Sequence, residues 1–312
     1  MGDSYRLRLM EAIANYDPSQ PRDKGGKWTS RGGETLLSAS RSKSGKWKMP
    51  DGSDAPEHIQ KLGIPPAWKD VYVNPNPGGD MLARGKDAKG RLQIRYSDSH
   101  NMKAAADKFG RVSELRTKRK QILSEMDQDA KKGGASREHA ECLRTIVTTG
   151  IRPGSDKDTK AAKKAFGATT LEGRHVVVTG GEVRLQFTGK KGVDLDIPVY
   201  DQKTANILVN RAASAGSTGR LFKTDAAALR DYSKSKDGGG FKTKDHRTAL
   251  GTETALTAVN RMKAPTDVKS YKAQVKSVAT EVSGVLGNTP AIALKAYIDP
   301  SIFSNWRASA GV

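Results

Sequence analysis

Between residues 175 and 198 the chain alternates apolar and polar positions, which is the pattern of short β-strands. One strand is predicted from His175 to Val178. Two more carry an apolar residue at every second position, namely Val183, Leu185 and Phe187, and then Val193, Leu195 and Ile197. The segments between them, Gly180-Gly181 and Gly189-Lys190-Lys191-Gly192, have the composition of tight turns. The pattern predicts a small meander of three strands.

A second β-rich region is predicted between about Trp47 and Asp98, with strands at Val71-Tyr72-Val73 and at Leu92 to Tyr96. Basic residues are dense along its last hairpin, with Gln93 and Tyr96 among them: Arg84, Lys86, Lys89, Arg91 and Arg95. A charged hairpin is often only a solvated face. At this density a surface that binds nucleic acid is at least as good an interpretation.

Most of the remaining chain has the spacing of amphipathic helices. One helix is predicted from Ala104 to Met126, and the next is predicted to be capped by Ser136 and ended by Gly150. A later helix has apolar residues at intervals of four and three, at Tyr271, Val275, Val278, Val282 and Val285. The fold class is therefore α+β. We expect a basic flexible leader over residues 1–46, a β-rich domain over 47–100, and a mainly α domain with a small embedded sheet over 101–312.

The last predicted helix is short and carries a tyrosine at its end. Thr289 is a good N-cap, and Pro290 suits the first helical position, where a missing N–H has no cost. Asp299 precedes Pro300, which disfavours helix there, so the helix should stop near Ile298. Tyr297 should then lie on the last turn with its hydroxyl free to reach out of the fold.

The charge of the chain points to a polyanionic partner. The 312 residues include 54 Lys and Arg against 34 Asp and Glu, for a formal net charge of +20. Such a charge attracts nucleic acid, and no long apolar run or basic amphipathic helix favours a membrane instead. The single cysteine, Cys142, lies beside apolar residues and is expected to be a buried thiol. We expect a soluble intracellular protein that binds a polyanion.

Four separated residues together suit the transfer of a phosphodiester to a tyrosine: Arg152, Lys190, Arg247 and Tyr297. A tyrosine hydroxyl can attack phosphorus when positive charge lies near it. Two guanidinium groups can hold the non-bridging oxygens, and a lysine can give a proton to the departing 5′ oxygen. This chemistry needs no metal or other cofactor, and the sequence has no tight carboxylate, His or Cys cluster that would bind a metal.

Residues 47–312 resemble the poxvirus and bacterial type IB DNA topoisomerases in four separated segments. These are Ile64-Pro65-Pro66-Ala67-Trp68; Gly85-Lys86-Asp87-Ala88-Lys89-Gly90-Arg91 with Gln93; Thr149-Gly150-Ile151-Arg152 with Thr169-Thr170-Leu171; and Lys244-Asp245-His246-Arg247-Thr248 with Asn288-Thr289-Pro290. The resemblance implies an enzyme that relaxes supercoiled DNA through a transient 3′-phosphotyrosyl bond, strand rotation and religation, without ATP or metal. It also implies a monomer that encloses duplex DNA as a two-lobed clamp, with a β-rich DNA-binding lobe and a catalytic lobe related to the tyrosine recombinases.

The resemblance assigns a role to each candidate site residue. Tyr297 is the nucleophile, Arg152 and Arg247 clamp the phosphate, and Lys190 is the general acid, with Lys191 as the alternative. Asn288 stands where many family members have a histidine, so it becomes the fifth catalytic candidate with a hydrogen bond but no charge. The candidate DNA contacts are Lys244, Lys191, Arg84, Lys86, Lys89, Arg91, Gln93, Arg95 and Tyr96.

Two departures and two rival interpretations accompany this assignment. Ile94 occupies a position that is often aromatic in the family, which removes the basis for transferring a DNA sequence preference. Residues 1–46 lie outside the resemblance, and their segment 16–28 is similar to segments of some phage-encoded proteins, which suggests a phage or viral origin. The rivals are a tyrosine recombinase, which shares the order Arg, Lys, Arg, Tyr, and a basic DNA-binding or packaging protein without catalysis. Recombinases usually place a histidine where this chain has Lys244.

Overall fold

A computed structural model describes residues 36–159, 164–190, 192–236 and 240–312 of the chain. The described residues form two compact units, and the division between them falls after Asp107, inside one long helix. The predicted mixture of helices and small sheets is confirmed, because both units contain antiparallel strands and the second is mainly helical.

The first unit is built from short strands. Its elements are β1 (Leu37–Ser38), β2 (Ser40–Arg41), β3 (Trp47–Lys48), the one-turn helix α1 (Glu57–Gln60), β4 (Lys69–Val73), β5 (Met81–Lys86) and β6 (Leu92–Tyr96). The order β1-β4-β5-β6 makes one antiparallel sheet, and β2 pairs with β3 in a second. The core between them is apolar and includes Trp47, Ile59, Val71, Val73 and Ala83.

The end of the predicted leader is part of this unit. Leu37 pairs with Val73, and Ser40 pairs with Lys48, so strands begin before residue 47. The folded region therefore starts earlier than composition predicts, because two-residue strands surrounded by Ser, Lys and Arg carry almost no apolar signal. Residues 1–35 of the predicted leader lie outside the described residues.

The second unit contains a bundle of helices with one small sheet. Its helices, starting with the one that crosses the division, are α2 (Asp98–Lys131), α3 (Gly134–Thr149), α4 (Asp156–Thr159), α5 (Gln202–Ala215), α6 (Ala226–Lys234), α7 (Thr243–Arg261), α8 (Val268–Leu286), α9 (Pro290–Ala296) and α10 (Ser304–Ala310). Short 3-10 turns lie at Ala168–Thr170, Gly173–His175 and Pro300–Phe303. Within the described ranges, every helix is too short or too polar to cross a lipid bilayer.

The predicted meander is confirmed as strands β7 (Val176–Thr179), β8 (Glu182–Gly189) and β9 (Val193–Pro198), in the order β7-β8-β9. Its apolar face joins a core that centres on α3, where Leu143 and Ile146 are fully buried beside Leu185 and Ile197. Cys142 is also fully buried there, and burial raises the pKa of its thiol, as expected for a packing residue.

The start of helix α3 differs from the sequence prediction, whereas its end agrees with it. It begins at Gly134, after Gly133 at φ 73°, so Ser136 lies inside the first turn and the prediction that it caps the helix is wrong. Its end is as predicted, because Gly150 adopts the left-handed conformation at φ 69° and its N–H donates to the carbonyl of Ile146. This turn places Arg152 two residues beyond the end of the helix.

Candidate active site

The four residues predicted to act together line one cavity of about 450 Å3 in the second unit. Arg152, Lys190, Arg247 and Tyr297 all contribute to its wall, although they come from four separate segments. Two more cations and one carboxylate join them among the described wall residues: Lys244, Arg230 and Asp158. The cavity thus concentrates positive charge around a phenol.

Tyr297 is the residue that ends helix α9. The Thr289 side chain caps the helix by accepting from the N–H of Ile292 at 3.3 Å, and Pro290 occupies the first turn, both as predicted. The helix stops at Ala296, two residues before the predicted end at Ile298, and Tyr297 leaves it with φ −131°. The chain therefore turns at the tyrosine itself, before the Asp299-Pro300 signal takes effect.

The Tyr297 side chain is only 4% exposed, so the prediction that its hydroxyl reaches freely out of the fold is wrong. Its backbone packs tightly on α7, where a Cβ at Gly251 would lie 2.8 Å from the Tyr297 carbonyl oxygen. The Thr252 hydroxyl donates to that oxygen at 3.2 Å and accepts from the N–H of Asp299 at 3.2 Å. Helix α7 thus fixes the backbone on both sides of the tyrosine.

Arg247 lies one turn earlier on α7 and ties three segments together. Its side chain is 4% exposed, and its guanidinium lies 5.0 Å from the centre of the Tyr297 ring. One terminal nitrogen donates to the carbonyl of Gly150 and the other to the carbonyl of Leu286. Those carbonyls end α3 and α8, the helices that lead to Arg152 and to Tyr297 respectively.

Burial is the main reason that the pKa of Arg247 falls to about 10; Tyr297 acts in the opposite direction, and the positive charge of Arg152 adds to the lowering. The guanidinium remains protonated at neutral pH. Its Nε is buried without a hydrogen-bond partner among the described residues, so this N–H can still donate to a ligand.

The neighbouring His246 makes this helix sensitive to acid. His246 is 4% exposed, with Nε2 3.3 Å from the Ser233 hydroxyl. Burial, with a smaller contribution from Arg119, lowers its pKa to about 4. The unfolded chain, with a His pKa of about 6.5, binds the proton first as pH falls. The stability that this histidine contributes is therefore complete above about pH 6.5 and is lost between about pH 6.5 and pH 4.

We expect His246→Gln to flatten the acid side of the stability profile, because glutamine has no proton to take up. Between about pH 7.5 and pH 4.5 the wild type should lose up to about 3 kcal/mol more than the variant in the free energy of unfolding. Urea denaturation at both pH values measures this. Parallel losses in the two proteins would show that His246 is protonated in the fold.

Arg152 is held by a loop that packs on the segment before Leu171. The carbonyl of Arg152 accepts from the N–H of Ala168 at 2.8 Å, and that of Pro153 accepts from the N–H of Thr169 at 2.7 Å. A Cβ at Gly167 would lie 2.6 Å from the Arg152 carbonyl oxygen, so only glycine allows this approach. The half-buried Arg152 side chain has no hydrogen bond or ion pair among the described residues. It is available to an anion.

Lys190 lies at the turn between β8 and β9. Gly189 pairs with Val193, and the N–H of Gly192 donates to the Gly189 carbonyl at 3.1 Å. The Lys190 side chain is exposed and lines the cavity, whereas Lys191 lies outside the described residues. Because neither an ion pair nor a hydrogen bond occupies the Lys190 ammonium in the described structure, it can serve a ligand.

Asn288 lies just after α8, but its side chain is not part of the described cavity wall. Its N–H donates to the carbonyl of Ser283 at 3.1 Å, which fixes the backbone. Both polar atoms of its amide are buried and have no partner among the described residues. A buried amide without partners is uncommon in folded proteins and fits a group that awaits a ligand.

Sequence reasoning missed Lys108, a half-buried lysine of α2. Its ammonium donates at 3.2 Å to the carbonyl of Ala296, the last residue of α9. Burial, followed by repulsion from Lys244, lowers its pKa to about 8. Lys108 therefore caps the helix that ends at the tyrosine, with a charge that favours a helix C-terminus. One lysine in a charged helix carries no signal that could have revealed this contact.

No group of three His, Cys, Asp or Glu side chains in the described ranges is placed to hold a metal ion. The polar side chains that line the cavity are five cations, one phenol, one carboxylate and the hydroxyl of Thr243. Such a set suits a phosphate ester.

Residues 97–304 match the family described as "Eukaryotic DNA topoisomerase I, catalytic core", over a span that contains all four cavity residues. The chain belongs to the type IB DNA topoisomerases. Residues 49–87 match a second family, described as "Bacterial DNA topoisomerase IB, N-terminal domain". Both units of this topoisomerase thus carry family similarity.

Viral topoisomerases are among its relatives. The DNA topoisomerase 1B of Acanthamoeba polyphaga mimivirus is 26% identical over 259 residues, which cover 78% of this chain and 77% of that protein. The DNA topoisomerase I of Monkeypox virus is 25% identical over 262 residues, covering 81% and 82% of the two chains. The DNA topoisomerase 1B of Vaccinia virus has the same identity and coverage.

The structure divides the candidate DNA contacts of the topoisomerase's first unit between two faces of its sheet. Arg84 pairs across the strands with Ile94, and its guanidinium lies 4.9 Å from the ring centre of Tyr72. Lys86 pairs with Leu92 on the same face, and its ammonium lies 2.8 Å from Asp70. Tyr96 shares this face of β6 by alternation, stacked 4.3 Å from the ring centre of His100.

Gln93 and Arg95 lie on the opposite face, because side chains alternate along β6. Arg95 stacks on Trp68 with 5.5 Å to the ring centre and donates to the carbonyl of Gly63 at 3.3 Å. The seven candidate contacts of this unit therefore do not form one continuous surface. The period-two alternation of the strand could have shown this from sequence alone.

Asp87 organises the turn that joins the two strands. Its carboxylate accepts from Nε of Arg91 at 2.8 Å and from the amide of Gln93 at 3.0 Å, and also from the backbone N–H of Lys89 at 2.9 Å. The hydrogen bond from Arg91 is the main reason that the pKa of Asp87 falls to about 2. Two of the candidate DNA contacts, Arg91 and Gln93, are thus engaged with the Asp87 carboxylate, as Lys86 is with Asp70, while Lys89 is exposed.

Proposed function

We propose that this type IB topoisomerase relaxes supercoiled DNA through a transient covalent bond between Tyr297 and one DNA strand. The observation that carries the proposal is the shared cavity, which gathers Arg152, Lys190, Arg247 and Tyr297 from four distant segments. The phenol shares this cavity with two guanidinium groups and one ammonium, the set that a phosphodiester transfer requires.

In the proposed step, the Tyr297 oxygen forms a bond to phosphorus while the bond from phosphorus to the 5′ oxygen breaks. The phenol proton passes to water, and Lys190 gives a proton to the departing oxygen. Arg152 and Arg247 hold the non-bridging oxygens as charge builds on them. After rotation of the free end, the 5′ hydroxyl attacks the 3′-phosphotyrosyl bond and the same groups act in reverse. No high-energy cofactor enters, because one ester is exchanged for another.

Asn288 is proposed as a fifth member of the site. Its amide has no partner in the described structure, and its backbone directly precedes the helix that carries Tyr297. A phosphate oxygen that accepts from this amide would satisfy a buried donor, which is worth about 1.5–3 kcal/mol when the acceptor is charged.

The two units are proposed to enclose the duplex as a clamp formed by one monomer, with the DNA-binding domain over residues 47–100 and the catalytic domain over 101–312. The net charge of +20 supports a partner that presents phosphates on many sides. Because the relatives named above are viral, we also propose a phage or viral origin and action on DNA in the cytoplasm.

A clamp of this kind predicts binding that is steeply dependent on salt. Contacts to six or more phosphates should lower the affinity for a short duplex about a thousandfold between about 50 and 200 mM salt. Arg84→Ala should make the logarithmic slope shallower by about 0.9, the value for one phosphate contact. Lys190→Ala is a second probe of the same kind from the catalytic cavity. Binding that is insensitive to salt would count against the clamp.

Relaxation of a supercoiled plasmid in EDTA and without ATP tests the proposed function. Complete relaxation by the wild type, with none by Tyr297→Phe, is the expected result. Site-dependent strand exchange between two DNA molecules would favour the recombinase. A gel shift without any change in topology would reduce the chain to a DNA-binding protein.

A further inference from the structure

Leu195 occupies a notch made by two glycines. It lies in the middle of β9, opposite Phe187 on β8. A Cβ at Gly189 would lie 2.7 Å from one methyl group of Leu195, and a Cβ at Gly287 would lie 2.2 Å from the other. Real Cβ atoms do not approach this closely, so the leucine side chain fills space that exists only because both positions are glycine.

The two glycines belong to the segments that carry the proposed general acid and the nucleophile. Gly189 directly precedes Lys190 at the turn between β8 and β9. Gly287 ends α8 in the left-handed conformation, at φ 57°, and the chain runs from it through Asn288 into α9. Leu195 therefore packs between the lysine hairpin and the link that leads to Tyr297.

A small cavity of about 30 Å3 lies beside this contact and shares part of its wall with the candidate active site. Its wall includes Leu195 and Gly287 together with Lys190, Arg152 and Arg247. Leu195 thus lines the same small cavity as Lys190 and the two arginines, Arg152 and Arg247. Its half-buried side chain has no catalytic group of its own, so any effect on the reaction must pass through position.

We propose that Leu195 is a positioning residue: docked at Gly287, it holds the β8–β9 hairpin so that Lys190 faces the phosphate site formed by Arg152, Arg247 and Tyr297. This inference rests on the proposed role of Lys190 as general acid. Without the isobutyl group the notch is empty and the turn loses its contact with the α8–α9 link. The lysine then spends less time in reach of the departing oxygen, while the arginines and the tyrosine keep their own supports.

The test is single-turnover cleavage of two duplexes that differ in one atom. In the first the bridging 5′ atom is oxygen, and its departure needs a proton. In the second it is sulfur, which departs as a stable thiolate and needs no acid. A defect in delivering the proton therefore slows the oxygen substrate alone. A general loss of folding or of phosphate binding slows both.

Leu195→Ala should slow cleavage of the oxygen substrate by about tenfold and leave the sulfur substrate within about twofold of wild type, the pattern of a misplaced acid. Leu195→Met, which keeps the volume, should restore most of the oxygen rate. Val178→Ala is the control, since Val178 lies on the neighbouring β7 and is 55% exposed. Lys190→Ala runs alongside as the reference for complete loss of the acid.

The outcomes separate the inference from the role on which it rests. If sulfur rescues Lys190→Ala but not Leu195→Ala, Lys190 is the acid and Leu195 does not position it. If sulfur rescues neither variant, the general-acid role of Lys190 fails, and the inference fails with it. An oxygen rate for Leu195→Ala equal to that of wild type would also overturn the inference.

A second measurement uses the contact from its other side. Gly189→Ala places a methyl group on Leu195 without a left-handed backbone, so it should also slow the oxygen substrate. If both changes act through one contact, the double variant should be no slower than the slower single variant. Independent, multiplying defects would mean that Leu195 and Gly189 do not act together.

Discussion

Replacing Tyr297 with phenylalanine should abolish the covalent adduct with DNA and leave the affinity for DNA within about twofold of wild type. The change removes one oxygen, the proposed nucleophile. The aromatic ring keeps its place beside Arg247 and Lys244, whose charged groups lie 5.0 Å and 5.8 Å from the ring centre. The fold around it should be preserved, because Thr252 holds the backbone of residue 297 and not its hydroxyl.

A labelled duplex and a denaturing gel measure the adduct, and a gel shift measures binding. Tyr200→Phe is the matched control, because Tyr200 is 89% exposed just after β9 and should behave as wild type. An adduct that persists in Tyr297→Phe would place the nucleophile on another residue. Loss of adduct and binding together would point to a structural role for the hydroxyl.

Replacing Arg247 with alanine should slow cleavage by about a hundredfold or more, the usual effect of removing one preorganised donor to a developing negative charge. It should also destabilise the protein. The carbonyls of Gly150 and Leu286 would both lose the guanidinium N–H that now donates to them. Each buried carbonyl left without a donor costs about 1–3 kcal/mol.

Arg152→Ala separates the two effects of Arg247→Ala. We expect a comparable loss of cleavage rate but little change in stability, because the Arg152 side chain has no hydrogen bond or ion pair among the described residues. Single-turnover cleavage and urea denaturation of both variants provide the comparison. Equal stability of the two variants would show that the bonds from Arg247 to the helix ends contribute nothing net.

The sequence predicts much of the site because its parts are signalled locally. Gly150 marks the end of α3 and hence the loop of Arg152, while the alternating apolar residues of β8 and β9 place Lys190 at their turn. Thr289 and Pro290 fix the start of α9. Each signal spans a few neighbouring residues, so a local pattern is sufficient to read it. That these segments meet in one cavity was expected from the chemistry of the four side chains and from the family resemblance.

What could not be predicted depends on contacts between distant segments. The burial of Tyr297 follows from its packing on Gly251, 46 residues earlier, and no local pattern reports it. Lys108 reaches the carbonyl of Ala296 across 188 residues. The partners of Arg247 are backbone carbonyls, which every residue has, so no residue type could identify them. The N-cap of α3 lies three residues before the predicted cap, and the end of α9 lies two residues before the predicted end, because the chain geometry at Gly133 and Tyr297 outweighed the capping preferences.

The several positive charges that line the cavity affect how strongly it binds the intact phosphodiester compared with the five-coordinate transition state. A phosphodiester carries one negative charge, and attack by a deprotonated phenol adds a second as phosphorus becomes five-coordinate. In the proposed mechanism, Arg152, Lys190, Arg247 and Lys244 therefore attract the five-coordinate species more strongly than the intact backbone, and DNA that is merely bound leaves part of their mutual repulsion unrelieved. The lowered pKa of Arg247 reflects the cost of burying one of these charges near another. On this proposal, the cavity binds the transition state of strand transfer most tightly, so it speeds both cleavage and religation and stabilises neither end state.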